Sequence, residues 1–356
     1  MIFKKIITLT IIMFIFLCQF NLVQATPGVS AQAYIVIDGE SGRIIKSHNA
    51  DLKLPIASTT KIMTAILAID NIESLNKKIE VPPECTGIEG SSIYLQAKQK
   101  VSVLDLLYGA MLRSGNDAAE TLAKFAGRKN PDGFISMMNE KAKELGALNT
   151  NFVNASGLHD DNHYSTAYDL ALISAYAMKN DTFKEIARAE KYKTVTMNNV
   201  FYNKNKVVHQ YEYGTGIKIG FTKAAGRCLV AAAEKDGTEI ITVLLNDGNW
   251  FNDSYSLFDW SFENYKLYSI VEKGQFAAAY TSEGNPVFID ESYRCILTEE
   301  EKEQIRFEPL LTSELITDNS KLATCGSYNI YLGDNIIHTG TLISNPATGT
   351  VPLAGR

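Results

Sequence analysis

Leu-Pro-Ile-Ala-Ser-Thr-Thr-Lys-Ile-Met-Thr, at residues 54–64, leads into the first helix that the sequence predicts. Pro55 suits the first turn of this helix, where its missing N–H is not needed. An apolar face follows at helical spacing, formed by Ile62, Ile66 and Ile69. The stretch therefore predicts a helix that begins close to Ser58 and packs one side against a core.

Ser58 and Lys61 are three residues apart and share a face of this helix. In the first turn, free backbone N–H groups stabilise developing negative charge on Ser58. A serine needs a base to become a useful nucleophile, and a lysine can serve if burial and a second cation lower its pKa. We therefore predict Ser58 as the nucleophile, Lys61 as the base and Lys218 as the second cation.

The Ser-x-x-Lys pattern is weak by itself, because ordinary serine and lysine usage produces it about once in a chain of this length. Ser74 and Lys77 repeat it. The neighbours of that copy are polar, which indicates a solvated loop. The assignment of Ser58 therefore depends on further motifs.

Ser114-Gly115-Asn116 separates two predicted helices, whose N-terminal caps are expected to be Ser102 and Asp117. A helix break commonly uses Ser, Gly and Asn, so a purely structural explanation stays open. In the catalytic interpretation, Ser114 passes a proton between Lys61 and the leaving group. Asn116 then holds Lys61 and the amide of the substrate.

Lys218-Ile219-Gly220 lies with Phe221 and Thr222 on a predicted strand. Gly220 leaves space for a substrate backbone close to the strand, and Lys218 and Thr222 can bind a carboxylate. The structural alternative is an edge strand with a solvated lysine. In chain order, the three motifs together favour acyl transfer on a peptide or lactam carbonyl.

His159 and His163 suggest a different class, a zinc hydrolase, because histidines four residues apart on a helix can share a metal. Residues 154–162 are rich in Asn, Gly and Asp, which favours a loop, and no His-Glu-x-x-His is present. We therefore predict no metal site and no cofactor.

The composition is that of an ordinary globular protein, with 356 residues, 46% hydrophobic, 21% charged and a formal net charge of −6. This length allows one large or two medium domains. The negative charge gives no support to nucleic-acid binding. The cysteines after residue 25 match no metal pattern, and for Cys295 and Cys325 both a disulfide and free thiols stay open.

Residues 1–25 have the pattern of a secretory signal. Lys4 and Lys5 precede an apolar run, and Val23-Gln24-Ala25 resembles a small-x-small cleavage site. An uncleaved membrane anchor is the alternative, although the run is short for a membrane span. We expect a protein exported across the cytoplasmic membrane, which is extracellular, associated with the cell wall or peripheral at the outer face of the membrane.

The predicted element types divide the chain after the signal into two domains, 26–265 and 266–356. In the first, strand-like residues 34–45 precede a helical middle, and strands return from about residue 217, with a hairpin at Asp236-Gly237. Terminal strands around a helical middle predict an α/β sandwich with one mostly antiparallel sheet. Short strand-like runs after residue 265 predict a small all-β second domain.

These motifs together resemble the low-molecular-mass penicillin-binding proteins, the D-alanyl-D-alanine carboxypeptidases of serine peptidase family S11. The likeness covers nearly all of the mature chain and extends around the motifs to residues 54–64, 114–119, 154–158 and 163–171. It implies a β-lactamase/transpeptidase-like fold with a helical subdomain and a β-rich C-terminal domain.

The resemblance implies that Ser58 attacks the carbonyl between the two terminal D-alanines of a peptidoglycan stem peptide. D-Alanine leaves and water hydrolyses the acyl-enzyme, with Lys61 as proton acceptor, Ser114 as relay and Lys218 bound to the substrate carboxylate. The backbone N–H groups of Ser58 and Phe221 would form the oxyanion hole. β-Lactam antibiotics would be covalent inhibitors that trap Ser58.

The sequence departs from the family pattern at Ile219, where the usual third motif, Lys-Thr-Gly, has a threonine whose hydroxyl can bind the carboxylate. Thr222 is the candidate replacement. A penicillin- or wall-peptide-binding protein with weak or no turnover is therefore an alternative.

A serine β-lactamase is another alternative. The class A enzymes of that group use a glutamate for deacylation, and the most similar stretch here, residues 144–149, has the wrong spacing. Residues 345–356 show no apolar helical face for membrane binding.

Overall fold

The structure, a computed structural model, describes residues 26–130, 132–282, 284–317 and 323–344. The predicted signal sequence and residues 345–356 lie outside this part of the chain. Among the described residues, no helix is both long and apolar enough to cross a membrane.

The helices in chain order are α1 (Lys61–Asn71), α2 (Val103–Leu112), α3 (Asn116–Ala126), α4 (Gly133–Glu144), α5 (Ala167–Met178), α6 (Asp181–Arg188), α7 (Val207–Gln210), α8 (Trp250–Asn264) and α9 (Glu299–Lys302). The strands are β1 (Ala33–Asp38), β2 (Ile44–His48), β3 (Lys78–Glu80), β4 (Lys100–Ser102), β5 (Lys191–Lys193), β6 (Val200–Tyr202), β7 (Gly214–Thr222), β8 (Gly226–Lys235), β9 (Thr238–Leu245), β10 (Lys266–Val271), β11 (Phe276–Tyr280), β12 (Pro286–Ile289), β13 (Tyr293–Leu297), β14 (Ile305–Thr317), β15 (Ala323–Leu332) and β16 (Asn335–Ser344). A short 3₁₀ segment, Ala57–Thr60, precedes α1.

A five-stranded sheet forms the centre of the first part of the chain, in the order β2-β1-β9-β8-β7, with every neighbouring pair antiparallel. β1 is buried along its whole length, because it lies inside the sheet with both faces covered. One face packs on the helical subdomain around a core that includes Ile35 and Leu106. The other face packs on α8 through residues such as Val36 and Phe258. The predicted α/β sandwich is confirmed.

The turn between β8 and β9 is formed by Asp236 and Gly237, with φ angles of 51° and 77°. Both residues are in the left-handed region, which a two-residue hairpin requires to match the twist of its strands. The predicted hairpin is confirmed.

Asp117 is not the cap of α3, and that prediction is wrong. The helix begins at Asn116 with Gly115 as its N-terminal cap. The Asp117 carboxylate instead accepts the backbone N–H groups of Ile93 and Leu95, at 3.1 and 3.0 Å. In the sequence, an aspartate just before a helix is typical of an N-terminal cap. The hydrogen-bond partners of Asp117 named here are instead more than 20 residues away along the chain. Asp117 thereby fixes the loop that approaches α3.

Asp105, in the first turn of α2, joins two segments that are far apart in sequence. Its N–H donates to Ser102 Oγ at 3.1 Å, so the predicted cap Ser102 is confirmed. Its buried carboxylate accepts from Tyr192 Oη at 2.8 Å and from the backbone N–H groups of Val195 and Thr196 at 2.9 and 2.7 Å. Burial raises the pKa of Asp105, whereas hydrogen bonds from Thr196, Val195 and Tyr192 lower it. Together the hydrogen bonds outweigh burial, and the pKa is below its ordinary value. The carboxylate therefore fastens β5 and the loop after it to α2.

From Lys266 onward the structure is almost entirely strands. β10 pairs with β13, and a second five-stranded sheet has the order β11-β12-β16-β15-β14. Two arginines join these strands to the beginning of the first sheet. Arg43 donates to Ile296 O and pairs with Glu301, and Arg294 binds both carboxylate oxygens of Glu40 at 2.9 and 3.0 Å.

The cysteines of the described part of the chain, Cys85, Cys228, Cys295 and Cys325, are buried free thiols. Of the two alternatives for Cys295 and Cys325, the structure therefore shows free thiols, both within the apolar core of the C-terminal sheets. Burial raises the pKa of Cys295 to about 11. The thiol is thus protonated and weakly nucleophilic at neutral pH.

We expect Asp105→Ala to lower the free energy of unfolding by about 2 kcal/mol at pH 7, because it leaves buried donors without an acceptor. The folded pKa of Asp105 is below its unfolded value. Its stabilising contribution is therefore complete above the unfolded pKa, near pH 4, and is lost as the pH falls through the folded pKa. Urea unfolding at several pH values should show the difference from wild type shrinking below about pH 4.

The matched control is Asp161→Ala, since the Asp161 side chain is 99% exposed. We expect a change within about 0.5 kcal/mol for this variant. An Asp105→Ala protein as stable as this control at neutral pH would contradict the role given to the carboxylate.

Candidate active site

Ser58 and Lys61 meet where the 3₁₀ segment passes into α1. Lys61 Nζ donates to Ser58 Oγ at 3.0 Å, as their spacing of three residues predicts. Lys61 is fully buried, whereas Ser58 is partly exposed. The predicted nucleophile is therefore accessible to a substrate, and the predicted base is shielded from water.

Lys61 Nζ has two further acceptors, Asn116 Oδ1 at 2.7 Å and the backbone carbonyl of Ser156 at 2.5 Å. Together with Ser58 they occupy the three donor positions of a lysine ammonium. The direct contact between Lys61 and Ser114 that a proton relay would use is therefore absent from this state of the site. Ser114 Oγ instead accepts from Lys218 Nζ at 3.1 Å.

Burial lowers the pKa of Lys61 to about 7 by disfavouring the charged form. Glu120 and Asp117 act in the opposite direction and raise this pKa, and Lys204 lowers it. The neutral amine of Lys61 is therefore populated at neutral pH, and it can accept the proton of Ser58.

The charge of Lys204 lowers the pKa of Lys61, and the role of Lys218 as a second cation stays a prediction. Burial, followed by the charge of Lys61, lowers the pKa of Lys218 well below its ordinary value. Since the repulsion between two ammonium groups is mutual, each charge disfavours the charged form of the other. Lys204 is exposed, and burial of part of its side chain lowers its own pKa.

Ser114 lies at the break between α2 and α3, in the left-handed region with φ 61°. The predicted break between two helices is therefore confirmed. Asn116 begins α3, and its Nδ2 donates to the backbone carbonyl of Glu89 at 2.6 Å. This bond fixes the amide so that Oδ1 faces Lys61.

Lys218 lies on the predicted strand, now β7, but the alternative of a solvated lysine is excluded because the side chain is 1% exposed. Its Nζ donates to Ser114 Oγ and to the carbonyl of Ile219 at 2.8 Å. Within the described residues it has no acidic partner. A buried cationic side chain without an anion favours the binding of one, and carboxylate binding by Lys218 stays the prediction.

Gly220 lies close to the backbone of the protein itself, at the 3₁₀ segment. The sequence analysis had expected its missing side chain to leave space for the backbone of a substrate. A Cβ at this position would be 2.9 Å from Ser58 N and 3.1 Å from Ile56 O. β7 therefore lies directly against the 3₁₀ segment. This contact brings the backbone of Phe221 to the same region as the N–H of Ser58, as the predicted oxyanion hole requires.

The side chains of Ile219 and Thr222 both contact other parts of the protein. The Ile219 side chain is half-buried and packs with the core beneath α8, on the sheet face opposite Lys218. Thr222 Oγ1 accepts the N–H of Ala225 at 3.0 Å and so fastens the turn into β8. The hydroxyl of Thr222 still has its own proton to donate, and its role in carboxylate binding stays a prediction.

His159 and His163 lie in a loop, as predicted. His163 Nδ1 accepts the N–H of Val153 at 3.3 Å, and its Nε2 is 2.8 Å from Thr60 Oγ1. Burial lowers the pKa of His163 to about 4, so the ring is neutral. The ring therefore links the loop at Val153 to Thr60 of the 3₁₀ segment. Among the described residues, no group of three or more His, Cys, Asp or Glu is arranged to hold a metal.

The sequence indicated no role beside Lys61 for Ser156 and Lys204, and for His163 it suggested only a metal ligand. The stretch 154–158 is part of the family likeness, but a backbone carbonyl such as that of Ser156 leaves no mark in side-chain identity. Lys204 stands between two asparagines, Asn203 and Asn205, a weak signal for a fixed loop. Long-range packing, which no local pattern encodes, brings Ser156 to Lys61, His163 to Thr60 and Lys204 within electrostatic range of Lys61.

The fold and this arrangement are those expected of a serine acyltransferase or hydrolase with a lysine as the predicted base. The model of the family described as D-alanyl-D-alanine carboxypeptidase, peptidase family S11, matches residues 21–249. The chain belongs to this family.

The chain is 37% identical to the D-alanyl-D-alanine carboxypeptidase DacC of Escherichia coli (strain K12) over 252 residues. This match covers 66% of this chain and 62% of that protein. It is 28% identical over 271 residues to the D-alanyl-D-alanine carboxypeptidase DacF of Bacillus subtilis (strain 168), covering 73% of this chain and 69% of the relative. Penicillin binding protein 5 from Haemophilus influenzae has a similar fold, with a TM-score of 0.76 and 24% identity over 90% of this chain and 98% of the other.

We expect the rate at which a neutral serine-acylating reagent modifies Ser58 to rise about tenfold per pH unit in acid and to level off above pH 7. The reason is that only the neutral amine of Lys61, whose pKa is about 7, can accept the proton. Mass spectrometry of the labelled protein measures this rate. A rate that is constant between pH 5.5 and 8 would contradict the assignment of Lys61 as the base.

Two variants should move the midpoint of this profile in opposite directions. Lys204→Met removes a charge that lowers the Lys61 pKa, and the midpoint moves to higher pH. Glu120→Gln removes a charge that raises this pKa, and the midpoint moves to lower pH. Lys204→Arg keeps the charge and serves as the control.

Proposed function

We propose that this protein is a serine-type D-Ala-D-Ala carboxypeptidase that removes the terminal D-alanine from peptidoglycan stem peptides. The observation that carries the proposal is the buried Lys61, bonded at 3.0 Å to a partly exposed Ser58, beside a second buried lysine with no acidic partner among the described residues. Family membership supplies the substrate class, because the curated relatives are named D-alanyl-D-alanine carboxypeptidases.

Acylation begins when Ser58 Oγ attacks the carbonyl carbon of the penultimate D-alanine and its proton passes to neutral Lys61. The N–H groups of Ser58 and Phe221 hold the negative oxygen of the tetrahedral intermediate. Once Ser58 carries the acyl group, Oγ is a poor acceptor and one N–H of Lys61 is free to turn towards Ser114. Through the Ser114 hydroxyl the proton reaches the leaving nitrogen as the C–N bond breaks.

Deacylation uses the same groups with water as the nucleophile. Lys61 accepts a proton from the water as it attacks the ester carbonyl, and Ser58 Oγ takes that proton back when the ester C–O bond breaks. The shortened peptide leaves as a carboxylic acid that loses its remaining proton to water, and both Ser58 and Lys61 return to their starting protonation states.

Substrate recognition depends on the terminal carboxylate. A carboxylate beside Lys218 stabilises the charged form of its ammonium, whose pKa burial lowers in the free protein. Exposed Lys204 adds positive charge at the rim, and Asn116 can hold the substrate amide. β-Lactam antibiotics, which combine a reactive acyl group with a carboxylate, are proposed as covalent inhibitors at Ser58.

A peptidoglycan substrate requires the protein to act outside the cytoplasm. The pattern of residues 1–25 supports export. We therefore propose an extracytoplasmic location, in contact with the cell wall.

We expect the protein to release D-alanine from a peptide that ends in D-Ala-D-Ala, and Ser58→Ala to abolish the release because the nucleophile is lost. Detection of free D-alanine with a D-amino-acid oxidase assay measures this. The chain supplies a matched control in Ser74→Ala, since exposed Ser74 repeats the Ser-x-x-Lys pattern outside the site. Release that persists in Ser58→Ala would overturn the assignment.

Ile219→Thr tests the alternative of a binding protein with weak turnover. The Ile219 side chain packs against the core beneath α8, so we expect a change in turnover of less than about threefold. Steady-state kinetics of D-alanine release will show this. A gain of about tenfold or more would instead favour the weak-turnover alternative.

A further inference from the structure

A cavity of about 390 Å³ lies next to the beginning of α8. Its walls are formed by residues 248–252 together with Lys206, Gln210 and Arg227. The volume is in the range of pockets that hold a small organic ligand. None of the residues predicted to act in catalysis or carboxylate binding lines this cavity, so it is a second concave site of the protein.

The cavity and the buried Lys218 lie on opposite faces of the first sheet. Arg227 begins on β8 directly opposite Phe221 of β7. Leu229, two residues further along β8, packs in the core beneath α8, and side chains two residues apart share a face of a strand. Arg227 is therefore on the α8 face, and a ligand in the cavity does not occupy the place of the peptide.

The charge of the cavity is positive. Lys206 and Arg227 are exposed, and Arg227 Nη1 donates to the carbonyl of Gly248 at 2.8 Å, which holds the guanidinium against the wall. No aspartate or glutamate lines the cavity, and within the described residues neither cation has an acidic partner. In a chain with a net charge of −6, such a concave site favours an anion.

The two acids closest to the cavity in the sequence are bound elsewhere. Asp247 Oδ1 accepts the N–H of Asn249 at 2.8 Å. Asp253 accepts the N–H of Ser30 at 2.6 Å and Asn249 Nδ2 at 2.7 Å. Both carboxyl groups are buried and belong to the contact with the N-terminal segment. They therefore form no ion pair with the two cations of the cavity.

Aromatic and amide groups complete the walls. Trp250 and Phe251 are half-buried, with ring centres 4.8 Å apart. A partly exposed indole presents a flat, electron-rich face, on which the C–H groups of a sugar ring can stack. Asn252 Nδ2 donates to Asn249 at 2.8 Å, so its Oδ1 is an acceptor for hydroxyl groups, and the amide of exposed Gln210 can both donate and accept.

We propose that this cavity binds a sugar residue that carries a phosphate or carboxylate group, as part of an anionic polysaccharide of the cell wall. The choice of a wall polymer rests on the proposed function, which places the protein at the wall. A polymer held in the cavity keeps the enzyme close to the stem peptides and raises their effective concentration at Ser58.

Three sugars that differ only at carbon 6 test the proposal: glucose, glucose 6-phosphate and glucuronic acid. The two tryptophans of the chain are Trp250 and Trp260, so Trp260→Phe leaves Trp250 as the only fluorescent indole. Titration of its emission measures the Kd of each sugar. We expect at least one anionic sugar to bind about tenfold more tightly than glucose, through hydrogen bonds from the two cations. The tighter of the two identifies the anionic group.

Substitutions separate the contribution of charge from that of stacking. In the Trp260→Phe protein, Lys206→Met and Arg227→Gln should each weaken the anionic sugar about fivefold and leave glucose within about twofold. Trp250→Ala, followed by saturation-transfer NMR, should weaken glucose and the anionic sugar alike. Lys223→Met is the matched control, because Lys223 is exposed in the nearby turn between β7 and β8 and lies outside the cavity. Circular dichroism checks that each variant is folded.

Cosedimentation with isolated cell walls extends the test to the polymer. The bound fraction should fall in Arg227→Gln and stay at the wild-type value in Lys223→Met. Equal fractions for these two variants would overturn the assignment to a wall polymer.

Equal Kd values for the three sugars, or an anionic sugar unaffected by Lys206→Met and Arg227→Gln, would overturn the site. So would inorganic phosphate or adenosine monophosphate that binds more tightly than both anionic sugars. Release of D-alanine from a short peptide is measured in parallel. Release without sugar binding overturns the cavity proposal alone, and sugar binding without release overturns the proposed carboxypeptidase function alone.

Discussion

The removal of the Lys61 ammonium from water is the constraint on which the rest of the site depends. An isolated buried ammonium would be costly, and the protein offsets this cost with acceptors from three separate segments: Ser58, Asn116 and the carbonyl of Ser156. The compensation is incomplete, and the pKa of Lys61 falls to about 7. With fewer acceptors the pKa of Lys61 would fall further, and the side chain would no longer hold a proton. With exposure to water its pKa would rise, and it would no longer release one at neutral pH.

Much of the fold serves to keep these segments together. β7 lies close enough to the 3₁₀ segment that only glycine fits at position 220. On the other side, a Cβ on Gly157 would be 2.0 Å from the carbonyl of Ala57. Ala57 itself has a φ of 47°, an unfavourable conformation for a residue with a side chain. Ser58 is thus positioned by contacts on both sides of a strained segment, which the apolar core beneath it supports.

The fold class and the central residues could be predicted because strong local signals encode them. Apolar periodicity gave the helices, the Asp-Gly pair gave the hairpin, and ordered motifs gave Ser58, Lys61, Ser114 and Lys218. The electrostatic partners could not be predicted in the same way. Lys204 acts on Lys61 through space, and Asp117 binds a loop more than 20 residues away. Both effects arise from tertiary packing, which a linear pattern does not contain.

The carbonyl of Ser156 has a consequence for how the enzyme can vary. A substitution at Ser58, Asn116 or Glu120 removes the functional group of that side chain. At position 156 the acceptor is the backbone carbonyl oxygen, which every amino acid has. Substitution can therefore weaken this acceptor only by displacing the loop. Since the Ser156 side chain is fully buried, small residues at position 156 leave this partner of the predicted base in place, whereas larger ones would move the main chain and weaken it.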